Sequence, residues 1–199
     1  MAIDQTETRD RLHLGREDHG RLVTTDEYAE ADFDEPWTYE RVGGRLVVMS
    51  PEGTGHVLQS EPWRDRLGAY SLSHPGVVQA VVSQAWLRID EQTTRIGDIG
   101  VYLGGEPESL DIPRQVPELM FEFVSPSKAD RARDYVEKRA DYQRAGVREY
   151  VIVDRFEKRV TVLTLVDGAY RERVLGMSET YTTPLLPGFS VRLAEVFPR

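Results

Sequence analysis

The chain contains no cysteine. That excludes disulfides and thiolate metal sites, and leaves oxygen and imidazole groups to hold any ion. No apolar run approaches the roughly 18 residues a membrane-spanning helix requires, so no membrane partner is expected. The opening stretch, MAIDQTETRDRLHLGRED, lacks the apolar core of a secretory signal, and the cytoplasm is the expected compartment. There are no internal repeats, low-complexity tracts or interdomain linkers. No Ser-His-Asp series suited to nucleophilic hydrolysis stands out, and no organic cofactor is expected.

What is present is a soluble, globular composition, with 40% hydrophobic and 30% charged residues in 199. The net charge of -9 is unevenly spread. Residues 1–40 hold 4 Arg against 12 Asp or Glu, a balance of -8, whereas residues 41–199 hold 21 basic and 22 acidic groups, a balance of -1. The acidity is thus N-terminal, and the body is free to carry local basic patches. Residues 128–150 have seven Lys or Arg against five acids. Charge neither requires nor forbids a nucleic-acid substrate. Residues 1–20 are polar and aperiodic and are expected to form a mobile acidic arm. Residues 21–199 are expected to be a single domain.

Thr24-Thr25-Asp26-Glu27 has the form of a helix-capping box. Two β-prone runs flank Gly43-Gly44 and predict a hairpin over residues 39–49. Helical spacing runs from His56 to Ser73, with a kink or a later start expected at Pro62. Strands are predicted over 77–89, 96–103 and 119–124. A helix over 130–145 ends at Gly146, and a strand follows over 149–154. Asp167-Gly168 predicts a hairpin between 159–166 and 170–175. Leu185–Arg192 is expected to add a last sheet edge. Strand, helix and strand over 119–153 form a βαβ unit, which predicts a parallel pair.

Glu122 stands inside the apolar strand Leu119-Met-Phe-Glu-Phe-Val124. A buried carboxylate needs a partner. It is therefore either an arginine-paired acid near a strand end or a metal ligand or catalytic acid at the carboxyl edge of a sheet. Asp98 is disfavoured in the strand interior and either caps a turn or joins Glu122. Two carboxylates on adjacent strands are the minimal cradle for Mg²⁺. Asp134, Lys138 and Tyr142 share one helix face. Lys138 is either half of an exposed pair with Asp134 or a cation held over the sheet edge, where it stabilises phosphoryl charge. Ser125 and Ser127 suit helix capping. A two-carboxylate sugar hydrolase fits poorly with the lysine and with the apolar setting of Glu122.

The run Phe121-Glu-Phe-Val-Ser-Pro-Ser127, then Asp134-x-x-x-Lys138-x-x-x-Tyr142, then Ala145-Gly-Val through Tyr150-Val-Ile-Val-Asp154, resembles the Uma family of restriction endonucleases. That family lies within the PD-(D/E)XK nuclease superfamily. Tyr39-Glu40, Leu46–Pro51 and His56 fit it too, and the likeness spans Thr24 to Phe197. It implies a restriction-endonuclease-like α/β fold, with a mixed central sheet flanked by helices, and Mg²⁺-dependent hydrolysis of nucleic-acid phosphodiesters. DNA is the implied partner, with Mn²⁺ as a substitute ion. Asp98 and Glu122 match the family's two acids and would hold the metal, with the Phe123 carbonyl as a further ligand. The superfamily lysine would stand at position 124, which is Val. Lys138 on the next helix takes its place, with Lys128 as runner-up. Gly97 stands where a proline usually precedes the first acid. Glu40 fits an N-terminal acid that supports metal waters, or else pairs with an arginine on the surface. His56 is either a general base or a helix-capping or core histidine. A homodimer would suit cleavage of both strands. The alternative is a catalytically inactive nuclease fold that binds or regulates.

Overall fold

The computed structural model describes residues 11–104 and 116–197. The chain forms two compact units, residues 1–51 with 91–93, and residues 52–90 with 94–199, where a single domain from residue 21 is the sequence expectation.

In the first unit, β1 (His13–Leu14) pairs in parallel with β2 (Asp32–Phe33). Residues 1–10 of the expected arm lie outside the described residues. Residues 11–20, by contrast, contain this strand and a 3-10 turn, and Leu14 is fully buried. The helix α1 (Thr25–Glu30) starts on Thr24, whose hydroxyl accepts the Glu27 N–H while the Glu27 carboxylate accepts the Thr24 N–H. This is the expected capping box. The strands β3 (Thr38–Val42) and β4 (Arg45–Met49) form the hairpin around Gly43-Gly44. Both glycines have positive φ, 57° and 76°, a turn conformation that costs glycine little. Arg41 is buried and ties the hairpin down by donating to the carbonyls of Val23 and Glu91.

The second unit begins with α2 (Thr54–Ser73). Pro62 does not break or delay it. Proline removes the bond to the carbonyl four residues back. That carbonyl belongs to Leu58, on the solvent side of the helix, where water can satisfy it. The inner face puts Trp63, Leu67 and Tyr70 into the core.

The sheet of this unit comprises β5 (Val78–Arg88), β6 (Thr94–Leu103), β7 (Leu119–Phe123), β8 (Glu149–Asp154), β9 (Arg159–Val166) and β10 (Ala169–Gly176). They lie side by side in chain order. The pair β7–β8 is parallel and the other neighbours are antiparallel, so the sheet is mixed, as expected. Between β7 and β8 runs a helical segment in three pieces, α3 (Lys128–Ala132), a π-helical turn (Arg133–Glu137) and α4 (Lys138–Ala145). Ser127 caps the first by accepting the Asp130 N–H. Gly146 closes the last at φ 86°. Asp167 and Gly168 both take positive φ in the β9–β10 turn.

The sheet has an apolar cluster on each face. Phe121, Phe123, Val151 and Val153 pack with Trp63 and Leu67 of α2. Met120, Tyr150 and Ile152 pack with Tyr142 of α4. Alternation along β7 therefore sends Phe121 and Phe123 to one side and Met120 and Glu122 to the other. The expected last edge over 185–192 does not join this sheet. Ser190–Arg192 (β12) pairs with Thr180–Thr182 (β11) as a separate ribbon. Val191 and Tyr181 of that ribbon are buried in the α2-side cluster.

Candidate active site

Burial of Glu122 is matched by partners from the helix opposite. Its Oε1 accepts from Lys138 Nζ at 2.8 Å and from the Tyr142 hydroxyl at 2.7 Å. Lys138 also donates to the Ile96 carbonyl at 2.8 Å. Lys138 is only 3% exposed, so it is not half of a surface pair with Asp134. The two residues lie one turn apart and both are buried. The π-helical turn ends at Glu137, immediately before Lys138. Such turns re-phase the helix that follows and recur at functional sites. Arg95 of β6, also buried, anchors this helix by donating to Asp141 at 2.7 Å and to Glu137 at 3.3 Å. Lys128 is solvent-exposed at the start of α3.

Asp98 sits where the pairing of β6 is interrupted on both sides. Toward β7 the ladder ends at Ile99–Phe121. Instead of extending it, the Asp98 carboxylate accepts the Phe123 N–H at 2.7 Å. Toward β5 the ladder omits the Gln84–Asp98 rung, although Ser83 pairs with Ile99 and Ala85 with Gly97. Gln84 there has φ 51°, strained for a side-chain-bearing residue. The register is the same on either side of this gap, so the irregularity is local to Gln84 and Asp98. Gly97 has its own reason. A Cβ added at 97 would lie 2.1 Å from the Met120 sulfur, which leaves no room for the proline seen in the superfamily pattern.

His56, in the first turn of α2, brings its Nε2 to 3.4 Å from Asp98 and 3.7 Å from Glu52. Its ring meets Phe123 edge-on, with centroids 5.9 Å apart. Glu52, His56 and Asp98 each place a potential ligand atom within 4.8 Å of the others. Glu52, in a loop rich in Gly and Pro, is not among the residues that the sequence singles out. Its four-residue spacing from His56 at a helix start was the available signal.

The charges of this group are mutually adjusted. Burial pushes the Glu122 carboxyl up to about 8, with Asp98 and Asp134 adding to the rise and Lys138 opposing it. Burial likewise raises Asp134 to about 7, against the pull of Lys138. Burial also works on Asp98, but the bond and charge of His56, then Lys138, more than offset it, and its pKa falls below the usual carboxylate value. For His56, burial favours the neutral ring. The Asp98 bond and the charges of Asp98, Glu52 and Glu122 outweigh this and raise its pKa.

The structure therefore brings Asp98, Glu122, Lys138 and His56 into one electrostatic group, and adds Glu52 and Asp134. Around the expected Asp98–Glu122 pair, whose charges act on each other, stand further groups. Asp98 shares its donor group with Glu52 and His56, while Glu122 turns to Lys138 and Tyr142. Phe123 meets Asp98 through its N–H. Glu40 belongs to the first unit, fully buried on β3 opposite Val47, and is not the surface residue of the alternative reading.

Among solved structures, a "putative nuclease belonging to DUF820 from Anabaena variabilis" matches with a TM-score of 0.72 and 14% identity, covering 88% of this chain and 97% of that one. This likeness bears on the fold. No curated protein matches the chain. The family model Uma2, described as "Putative restriction endonuclease", matches residues 25–194. The chain belongs to the Uma2 family and has a nuclease-like fold.

Proposed function

We propose that the protein is a Mg²⁺-dependent endonuclease that hydrolyses phosphodiester bonds in nucleic acid, with DNA as substrate. The observation that carries this reading is the buried Lys138–Glu122–Tyr142 set, electrostatically coupled to Asp98. A buried lysine costs stability unless it is paired, and a purely structural strand needs neither the acid nor the lysine. Family membership supports the reaction class.

Glu52 and Asp98 supply the hard oxygen donors that Mg²⁺ requires, and His56 completes the group. When bound, the ion supplies Lewis-acid charge and an activated water. Glu122, with one oxygen held by Tyr142 and Lys138, orients the lysine. Lys138 then stabilises the charge that develops on the phosphoryl group. The Phe123 N–H holds the Asp98 carboxylate in place. The same proposal includes a cytoplasmic homodimer, since two related sites suit cleavage of both strands. Among the described residues no helix is long and apolar enough to cross a membrane.

The test is incubation of supercoiled plasmid with purified protein and Mg²⁺, Mn²⁺ or EDTA. Nicked or linear product is expected with metal only, and its loss in Asp98→Asn and Lys138→Ala. If plasmid, single-stranded DNA and RNA all stay intact with both ions, the enzyme reading fails, and the fold serves binding or regulation.

A further inference from the structure

The donor group differs in one respect from an all-oxygen Mg²⁺ site: it contains an imidazole. Mg²⁺ prefers oxygen ligands and gives up its waters reluctantly. Nitrogen donors shift affinity toward first-row transition ions. We propose that His56 is a direct ligand of the metal centre, and that the centre consequently binds Mn²⁺ in preference to Mg²⁺. This rests on the nuclease reading only for the presence of a metal, since the selectivity follows from the donors themselves.

Three features support His56 as a ligand rather than a plain ion-pair partner of Asp98. Its side chain is 12% exposed and that of Asp98 is 19% exposed, so both are shielded yet reachable from solvent, while Glu52 lies on the open side at 31%. The His56–Asp98 hydrogen bond, at 3.4 Å, is looser than a tight charge-assisted one. The spacing also suits two donors sharing one ion, because ligand atoms about 2.1 Å from a metal lie roughly 3 Å apart. Phe123 braces the pair, with its ring steeply inclined to that of His56 at 77° and its N–H on Asp98. Pre-orientation of donors by a neighbouring group is how ligand shells are tuned.

The experiment uses the full chain. Mn²⁺ binding is titrated by electron paramagnetic resonance, with Mg²⁺ as competitor, and nitrogen coupling to the bound ion is read from spin-echo modulation. The expected result is one Mn²⁺ per chain, a Mg²⁺ excess of about tenfold or more to displace it, and a coupling that changes on ¹⁵N-histidine labelling. His56→Ala should lose the coupling and weaken Mn²⁺ about tenfold or more, while Mg²⁺ weakens much less. The labelled wild-type protein answers the question even if that variant does not fold. Absent nitrogen coupling, equal affinity for the two ions, or no Mn²⁺ binding overturns the proposal. Plasmid cleavage is scored separately. Nitrogen-coupled Mn²⁺ without cleavage retires the nuclease reading and keeps the centre, whereas cleavage without nitrogen coupling does the reverse.

Discussion

Glu122→Gln should flatten the pH dependence of stability in the metal-free protein. In the folded state the Glu122 pKa is raised from 4.5 to about 8. Between these values the folded chain holds a proton that the unfolded chain has released, so stability falls as pH rises through that window. Each pH unit is worth about 1.36 kcal/mol, which gives a ceiling of about 4 kcal/mol between about pH 5 and pH 8. Asp134, raised to about 7 in the same field, takes up part of this effect. The glutamine keeps the size of the side chain and an oxygen for Lys138 and Tyr142, but does not titrate. Urea unfolding in EDTA at both pH values measures the difference. Wild-type protein should lose about 2–4 kcal/mol more than the variant over this range, leaving the variant the more stable at the higher pH. Equal pH slopes would refute the reasoning. They would mean that Lys138 keeps Glu122 ionised in the folded state, with no net shift to remove.

Lys138→Ala should abolish metal-dependent cleavage and also cost about 1–3 kcal/mol, because the buried Glu122 Oε1 and the Ile96 carbonyl lose a hydrogen-bond donor. Lys138→Arg should rescue poorly, since a planar fork does not replace a point charge in a closed site. Lys128→Ala should cut normally, and the reverse pattern in a plasmid assay would put the lysine at 128. Gly97→Ala should destabilise by about 1–3 kcal/mol in chemical denaturation, because the new methyl meets the Met120 sulfur. Pairing it with Met120→Ala should not add a second full loss, and strict additivity would show that the clash is not the cause. Deleting residues 1–10 should leave the melting temperature nearly unchanged. Deletion through residue 20 should lower it by several degrees, because burial of Leu14 alone is worth about 1.5–3 kcal/mol. Equal melting curves for the two truncations would show that Leu14 contributes nothing.

Much of the architecture was legible in local chemistry. Gly43-Gly44 and Asp167-Gly168 announce hairpins because few other residues take positive φ. Gly146 marks a helix end for the same reason, and the apolar run around Glu122 announces a central strand. The acid within that run pointed to a site, since burial of a carboxylate demands a partner. Helical spacing also placed Lys138 and Tyr142 on one face. Which face of the sheet that helix covers, and so whether the lysine reaches Glu122 or stays in solvent, depends on packing across residues far apart in the chain. Sequence spacing could not choose between the two readings of Lys138. Arg95 anchoring Asp141, and Met120 filling the space beside Gly97, are interactions of the same long-range kind. The continuity of α2 through Pro62 turned on which side of the helix faces water, and the separate ribbon of β11 and β12 on which core Tyr181 and Val191 fill. Glu52 and His56 show the division most sharply. Their spacing is local, but a donor group exists only because the ladders on both sides of Asp98 break and α2 starts beside that gap.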